Sequence, residues 1–74
     1  MTETEFVDVV RAESGLSLST DDLRTRFDDL PGWDSVQLLK VLSALETERG
    51  ITLPIARLLE ARCLGDLHDA VVAA

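Results

Sequence analysis

A serine that directly follows an aspartate, Asp34-Ser35, is the part of this chain whose residue types best allow covalent chemistry. Asp34 has the side chain of a helix N-cap, and Gln37 three residues later completes a capping box, which predicts a helix that begins at Ser35. The box does not use the Ser35 hydroxyl, which is then free to face solvent at the positive end of a helix dipole. Because free N–H groups and the dipole favour an anion there, this hydroxyl is well placed to carry a covalently attached phosphate.

A plainer interpretation is that Ser35 is only a second capping residue. The spacing by itself favours this interpretation, because Asp and Ser are among the commonest residues at helix starts. A hydrolase triad of Ser35, His68 and an aspartate is not supported, since no nucleophile elbow surrounds Ser35 and His68 is expected on the solvent face of the last helix. One cysteine and one histidine do not supply a ligand cluster, so we predict no metal site and no catalytic residue.

The composition indicates one small, acidic domain. A chain of 74 residues leaves little room for an enzyme cleft of its own. The formal charge of −7 argues against nucleic acid as a partner and favours partners with basic surfaces. The single Cys63 cannot form an internal disulfide, and neither a signal peptide nor a membrane-spanning run is recognisable. We therefore expect a freestanding, monomeric, cytoplasmic protein that does not bind membranes.

Apolar spacing predicts an all-α fold in which Ser35 opens the longest helix. Glycine, proline and aromatic residues are scarce, and no alternating β-branched run reaches strand length. The expected helices lie near 3–14, 35–49, 55–62 and 66–73, and a long structured loop covers 15–34. Thr2 with Glu5 should cap the first helix, and Phe27 with Leu30 should turn inward from the loop. The run Cys63-Leu64-Gly65 should separate the last two helices.

The predicted second helix has more apolar residues than one face can hold. At about 100° per residue, its core face comprises Leu38, Val41, Leu42 and Leu45. Val36 and Leu39 fall on the other side with Lys40, so an apolar patch beside Ser35 suggests a docking site. For Leu39, coverage by the long loop is an equal alternative. Trp33 is either a partner contact or a packing anchor, and packing is favoured because large aromatic side chains bury most of their area.

The motif and the helix that follows it resemble the acyl and peptidyl carrier proteins. Asp34-Ser35-Val36 is followed by a leucine-rich helix that ends at Gly50 and then by Leu53-Pro54, where Pro54 suits the first position of a third helix. In that family an Asp-Ser-Leu motif opens the second helix, and a short Ile-Pro or Leu-Pro element comes later. The similarity spans essentially the whole chain. It implies a carrier-protein bundle of three main helices and one short helix, with Ser35 modified by 4'-phosphopantetheine.

The resemblance also implies a carrier that other enzymes act on, and not an enzyme. A phosphopantetheinyl transferase would load Ser35 from coenzyme A, with Asp34 orienting the helix start and the loading reaction. An acyltransferase or adenylating ligase would then charge the terminal thiol for downstream synthase or tailoring enzymes. The implied docking surface comprises Trp33, Val36, Gln37, Leu39, Lys40, Ile55 and Leu58. A groove between the second and third helices would shelter an acyl chain.

Two residues depart from the family pattern. Lys40 stands where many fatty-acid carriers have an acidic residue, which favours natural-product biosynthesis of the polyketide or nonribosomal peptide type. Arg49 projects onto the core face, where carriers usually have an aromatic or aliphatic residue, so we expect its stem to pack there. The competing hypothesis is a cofactor-free helical interaction module, in which alanine could replace Ser35 without loss of function.

Overall fold

Within residues 1–53 and 55–73, which the computed structural model describes in full except for the side chain of Ile55, the chain forms four α-helices and two short 3₁₀ turns. The helices are α1 (Glu3–Ser14), α2 (Ser35–Arg49), α3 (Ile55–Leu59) and α4 (Leu64–Ala73). The predicted all-α bundle of three main helices and one short helix is confirmed. The bounds of α1 and α2 agree with the predicted ranges. The predicted role of Pro54 lies outside the described residues.

The start of α1 is fixed by the predicted capping box. Thr2 Oγ1 accepts a hydrogen bond from the Glu5 backbone N–H at 3.1 Å, and the Thr2 N–H donates to Glu5 Oε1 at 3.2 Å. The helix ends at Gly15, which has a φ of 73° and donates its N–H to the Arg11 carbonyl at 2.9 Å. This left-handed conformation is one that glycine adopts without a steric penalty.

The core lies between α1, α2 and α4. Its largest fully buried side chains are Phe6, Val10, Val41, Leu45, Leu64 and Leu67. They come from all three long helices, and burial of each such side chain contributes about 1.5–3 kcal/mol. Since α1 packs along α2, the orientation of α2 and of its exposed face depends on this shared core.

The loop 15–34 has structure of its own, as predicted. It contains the 3₁₀ turns Thr20–Arg24 and Phe27–Asp29, and its residues Leu18, Leu23 and Leu30 are buried. The loop ends in a turn in which the Trp33 N–H donates to the Leu30 carbonyl at 3.2 Å. Gly32, at a φ of 79°, lies so close to Leu16 that an added Cβ would come within 2.7 Å of its Cδ2 atom. The end of the loop is therefore held against the residue that follows α1.

The predicted end of α3 and the predicted start of α4 are wrong, whereas the start of α3 and the end of α4 agree with the prediction. Helix α3 ends at Leu59 and α4 begins at Leu64, so Gly65 lies inside the first turn of α4 and is not a helix breaker. An added Cβ at Gly65 would come within 2.9 Å of the Leu23 carbonyl oxygen. The Phe27 N–H also donates to the Arg62 carbonyl at 2.8 Å. These contacts with the loop position the start of α4, and the local sequence does not show them.

The positions of two side chains differ from those that the sequence predicted. Arg49 is exposed, and its Nη1 atom lies 3.5 Å from Glu5 Oε2, so it pairs with α1 at the surface and does not pack in the core. His68 is half-buried and not on the solvent face: its Nε2 atom lies 3.0 Å from the Met1 carbonyl oxygen, and its ring centroid lies 5.4 Å from that of Phe6. Among the described residues, no helix has the length and apolarity needed to cross a membrane.

We predict that Gly65→Ala destabilises the protein by about 1–3 kcal/mol, because the new methyl group meets buried backbone that cannot move aside. Helix propensity alone predicts the opposite sign, a gain of about 1 kcal/mol. Urea denaturation measures the change in the free energy of unfolding, and Asp69→Ala, at an exposed position of the same helix, is the control. A stabilised Gly65→Ala variant would contradict the close approach of α4 to the loop.

A second prediction concerns pH. The hydrogen bonds of the Thr2 backbone and hydroxyl, with a smaller effect of the Arg49 charge, hold the pKa of Glu5 below its ordinary value. A carboxyl group whose pKa is lower in the folded state stabilises the protein above its unfolded pKa, and that stability is lost as the pH falls through the folded pKa. NMR titration should show the pKa of Glu5 rising towards its ordinary value in Thr2→Ala. It should stay unchanged in Thr4→Ala, and because Thr2→Ala keeps the backbone N–H, equal values in both variants would disprove only the contribution of the Thr2 hydroxyl.

Candidate functional site

Ser35 is the first residue of α2 and is exposed. Asp34 is the N-cap: its backbone is extended, and its Oδ1 atom accepts a hydrogen bond from the Gln37 N–H at 3.0 Å. The Asp34 carbonyl accepts the first intrahelical hydrogen bond, from the Leu38 N–H at 3.1 Å. Because Asp34 supplies the cap, the Ser35 hydroxyl is not required for it.

The predicted capping box is only half formed. Gln37 is half-buried, and its Oε1 atom is enclosed without a hydrogen-bond partner among the described residues. The structure shows no return hydrogen bond from the backbone N–H of Asp34 to the Gln37 side chain. The box prediction was wrong on this point because an enclosed amide group cannot also reach a cap at the surface. As a result, Gln37 offers less of its side chain to a partner than the predicted docking surface assumed.

The electrostatics at the start of α2 suit a phosphate ester. The first turn of α2 contains no acidic residue. Asp34 satisfies the N–H of Gln37, while those of Ser35 and Val36 have no acceptor inside the helix. These N–H groups and the helix dipole favour an anion at this end. The residues present therefore fit a phosphate attached to the Ser35 hydroxyl.

Trp33 is anchored just before this helix start. Its ring stacks on that of Phe27, with centroids 5.0 Å apart and planes 13° from parallel. Trp33 and Phe27 are each half-buried and pack against the core. The packing interpretation of Trp33 is thereby favoured over a free partner contact, although part of its ring still faces solvent. The stack limits the positions that Asp34 and Ser35 can take.

An apolar patch lies beside Ser35, as the helical projection predicted. Val36 is 56% exposed and Leu39 is 65% exposed, so the long loop does not cover Leu39. Lys40 is exposed next to them. These three side chains of α2 and Glu13 of α1 line the same open groove. No pattern in the sequence indicates that α1 contributes to this surface.

The docking residues predicted on α3 need correction. Leu58 is 3% exposed and belongs to the core, so it is not available as a surface contact. The neighbouring Leu59 is 77% exposed. Consecutive residues of a helix point about 100° apart, and on the short α3 only Leu58 of the two is covered. The predicted contact of Ile55 concerns a side chain outside the described part of the structure.

Other chemistry receives no support from the described part of the chain. There, no group of three or more His, Cys, Asp or Glu side chains is arranged to hold a metal ion. Cys63 is a free, half-buried thiol. A shallow groove lined by Glu46, Ile51 and Leu53 lies between the end of α2 and the segment that leads to α3. Whether an acyl chain occupies a groove on that side stays a prediction.

We predict that Asp34→Ala lowers the free energy of unfolding by about 1 kcal/mol, because the N–H of Gln37 loses its acceptor. Asp34→Asn is the control, since an asparagine oxygen can accept the same hydrogen bond, and it should cost less than half as much. Urea denaturation of the three proteins measures both changes. Equal losses in the two variants would show that the carboxylate charge matters there, and not the cap.

Comparison with known proteins identifies the family. The family model described as "phosphopantetheine attachment site" matches residues 4–71, nearly the whole chain, and the match includes Asp34 and Ser35. Searches of curated proteins and of solved structures gave no match. Members of this family carry covalently attached 4'-phosphopantetheine and interact with transferases and synthases in general. The resemblance to acyl and peptidyl carrier proteins is therefore confirmed, and the chain belongs to the phosphopantetheine attachment site family.

Proposed function

We propose that this chain is an acyl or aminoacyl carrier whose 4'-phosphopantetheine is attached to Ser35 Oγ. The observation that supports the attachment point is the exposed position of Ser35 at the first residue of α2, beside an N-cap that does not need its hydroxyl. The family match supplies the cofactor, and its range includes this residue. When bound, the cofactor supplies a terminal thiol that holds an acyl or aminoacyl unit as a thioester.

Other hydroxyl groups of the chain fit this role less well. Thr2 Oγ1 accepts the capping hydrogen bond of α1, and the Ser14 hydroxyl donates to the Val10 carbonyl at 2.6 Å. Ser43 is exposed but lies in the middle of α2, where backbone N–H groups are used inside the helix. Thr4 is also exposed near the start of a long helix with an independent cap, but Glu3 and Glu5 flank it, whereas the first turn of α2 after Ser35 contains no acidic residue. This difference favours Ser35 over the other candidates.

The residues around Ser35 have distinct roles in this proposal. Asp34 fixes the start of the helix, so the hydroxyl is held in one place when a phosphopantetheinyl transferase approaches with coenzyme A. The N–H groups of the first turn of α2 stabilise the negative charge of the phosphate ester. Val36 and Leu39 offer apolar area for enzymes that dock beside the arm. Trp33 acts mainly as a packing anchor for the loop that leads to the motif.

A carrier gains from tethering because the bound unit meets each enzyme as part of a docked complex. The effective concentration of a tethered group at the partner's active site far exceeds its concentration in free solution. We propose an acyltransferase or adenylating ligase as the enzyme that charges the thiol, and synthase or tailoring enzymes as those that use it. The chain itself positions the arm and offers the docking surface.

The exposed Lys40 supports a specialised pathway. In many fatty-acid carriers this position holds an acidic residue that faces partners, whereas here it holds a cation beside two exposed apolar side chains. A docking surface that contains a cation does not suit partners that bind carriers through a basic patch alone, so we expect partners with a different charge pattern. We therefore propose natural-product biosynthesis of the polyketide or nonribosomal peptide type.

Incubation with coenzyme A and a broad-specificity phosphopantetheinyl transferase, followed by intact mass spectrometry, tests the proposal. The wild-type protein should gain the mass of one phosphopantetheine, and Ser35→Ala should gain none. Ser43→Ala, which removes an exposed hydroxyl from the same helix, should gain it as the wild type does. Modification of Ser35→Ala would move the attachment point elsewhere. A folded wild-type protein that stays unmodified with several transferases would favour the cofactor-free interaction module.

A further inference from the structure

We infer that Trp33 holds the first segment of the arm on Ser35, namely the branched carbon with two methyl groups that follows the phosphate in 4'-phosphopantetheine. This inference rests on the proposed function, because it concerns the group attached to Ser35. It gives Trp33 a second role besides packing, since the half-buried ring leaves part of its surface in solvent. The thiol end of the arm stays free to move.

The backbone of Asp34 places Trp33 and Ser35 on the same side of the chain. Asp34 is extended, with a φ of −153° and a ψ of −177°. The side chains that flank an extended residue share a face, and their residues lie about 7 Å apart. The Asp34 carboxylate is used by the cap, where its Oδ1 atom accepts from the Gln37 N–H. The ring is therefore within reach of a group only a few atoms beyond the Ser35 hydroxyl.

The start of α2 directs the arm towards the loop that contains Trp33. The Cα–Cβ bonds of a helix tilt towards its N-terminus, so a group on Ser35 leaves α2 at the end where Trp33 lies. The N–H groups of Ser35 and Val36, which have no acceptor inside the helix, favour the phosphate at this same end. Leu39 lies about one turn further along α2, in the opposite direction. The apolar surface ahead of the arm is thus the ring of Trp33.

The ring of Trp33 is fixed before any arm is attached. Its stack on Phe27, with centroids 5.0 Å apart, and its packing against the core set its orientation. The Trp33 N–H donates to the Leu30 carbonyl at 3.2 Å, which restrains the backbone as well. A ring that is already fixed loses little conformational entropy when another group covers it. Because a tether raises the effective concentration of the arm to about the millimolar range, even a weak contact with the ring is populated.

The two methyl groups are the part of the arm that suits this surface. They form its only apolar branch and lie close to the phosphate, whereas the two amide groups follow later and the thiol comes last. An uncharged aromatic ring gains from covering methyl groups and gains nothing from the hydrated phosphate. A contact at Trp33 also leaves the exposed Val36 and Leu39 uncovered for enzymes that use the arm.

The intrinsic fluorescence of the protein tests the contact. Trp33 is the only tryptophan and the chain has no tyrosine, so the emission reports on this ring alone. Loading Ser35 and then removing the transferase should move the emission to shorter wavelength and reduce quenching by acrylamide, because the arm shields the ring from water. Leu39→Ala, once loaded, should show the same change, and Ser35→Ala given the same treatment should show none. Emission and quenching that do not change on loading would overturn the inference.

NMR of an arm labelled with ¹³C at its two methyl groups locates the contact directly. Nuclear Overhauser effects should connect the methyl protons with the indole protons of Trp33. They should be lost in Trp33→Ala and weakened in Phe27→Leu, where the ring loses the partner that fixes it. Circular dichroism checks that both variants are folded. In the wild type, contacts of the methyl groups with Val36 and Leu39 but not with the indole would place the arm along α2 and overturn the inference.

A tethered group that needs no transferase separates this inference from the proposed function. Ser35→Cys combined with Cys63→Ala keeps a single thiol, which N-neopentyl iodoacetamide or N-(2-hydroxyethyl) iodoacetamide then alkylates. The branched neopentyl group should protect Trp33 from acrylamide, and the polar hydroxyethyl group should not. If the neopentyl group protects Trp33 but no transferase loads Ser35, the proposed function is wrong and the contact at Trp33 stands. If Ser35 is loaded but neither the arm nor the neopentyl group protects Trp33, the inference is wrong and the proposed function stands.

Discussion

The hydrogen bond from the Gln37 N–H to Asp34 Oδ1, 3.0 Å long, fixes the residue at which α2 begins. Because the helix turns about 100° per residue, the residue at which it begins and the residues that face the core belong to one helical register. The cap thus links two features of the molecule: the exposed hydroxyl at the start of α2 and the buried row that includes Val41 and Leu45. Both depend on the same register.

The rest of the fold keeps that helix start in place. The loop before it is pinned by Leu18 and Leu30, which are buried, and by the stack of Trp33 on Phe27. A carrier needs such a fixed point, because the arm itself is flexible and starts at the attachment residue. A small domain achieves this with a few local contacts, since its core alone supplies little spare stability.

Helix α2 has one side that is buried and another side that is exposed to solvent. One side packs against α1, where Ala44 and Leu45 are buried, and the other leaves Val36 and Leu39 in solvent. Exposed apolar area lowers solubility, and the chain offsets this with a formal charge of −7. The negative charge is not spread evenly, because α2 has no acidic residue before Glu46. Apart from the Asp34 carboxylate that caps the helix, the surface of α2 next to Ser35 therefore has less negative charge than the chain as a whole.

Much of the bundle was readable from local patterns. The bounds of α1 and α2, the caps at Thr2 and Asp34, and the exposure of Val36 follow from interactions within one turn or from a helical repeat, whereas for Leu39 the sequence left coverage by the loop as an equal alternative. Such interactions join residues that are close in the chain, so their types and spacing suffice to predict them. The family followed from the same stretch, because the motif, the helix and the Leu53-Pro54 element occur in order.

Tertiary contacts determine the features that local patterns do not predict. Gly65 belongs to α4 because the helix approaches the Leu23 carbonyl, and Arg49 is exposed because Glu5 of another helix lies within reach. Helix α3 contacts α4, and in that packing Leu58 is buried while Leu59 is exposed. In each case the deciding partner is distant in the chain or belongs to another element. Spacing within one helix carries no information about such a partner, so only the folded structure could show that Glu13 of α1 borders the surface beside Ser35.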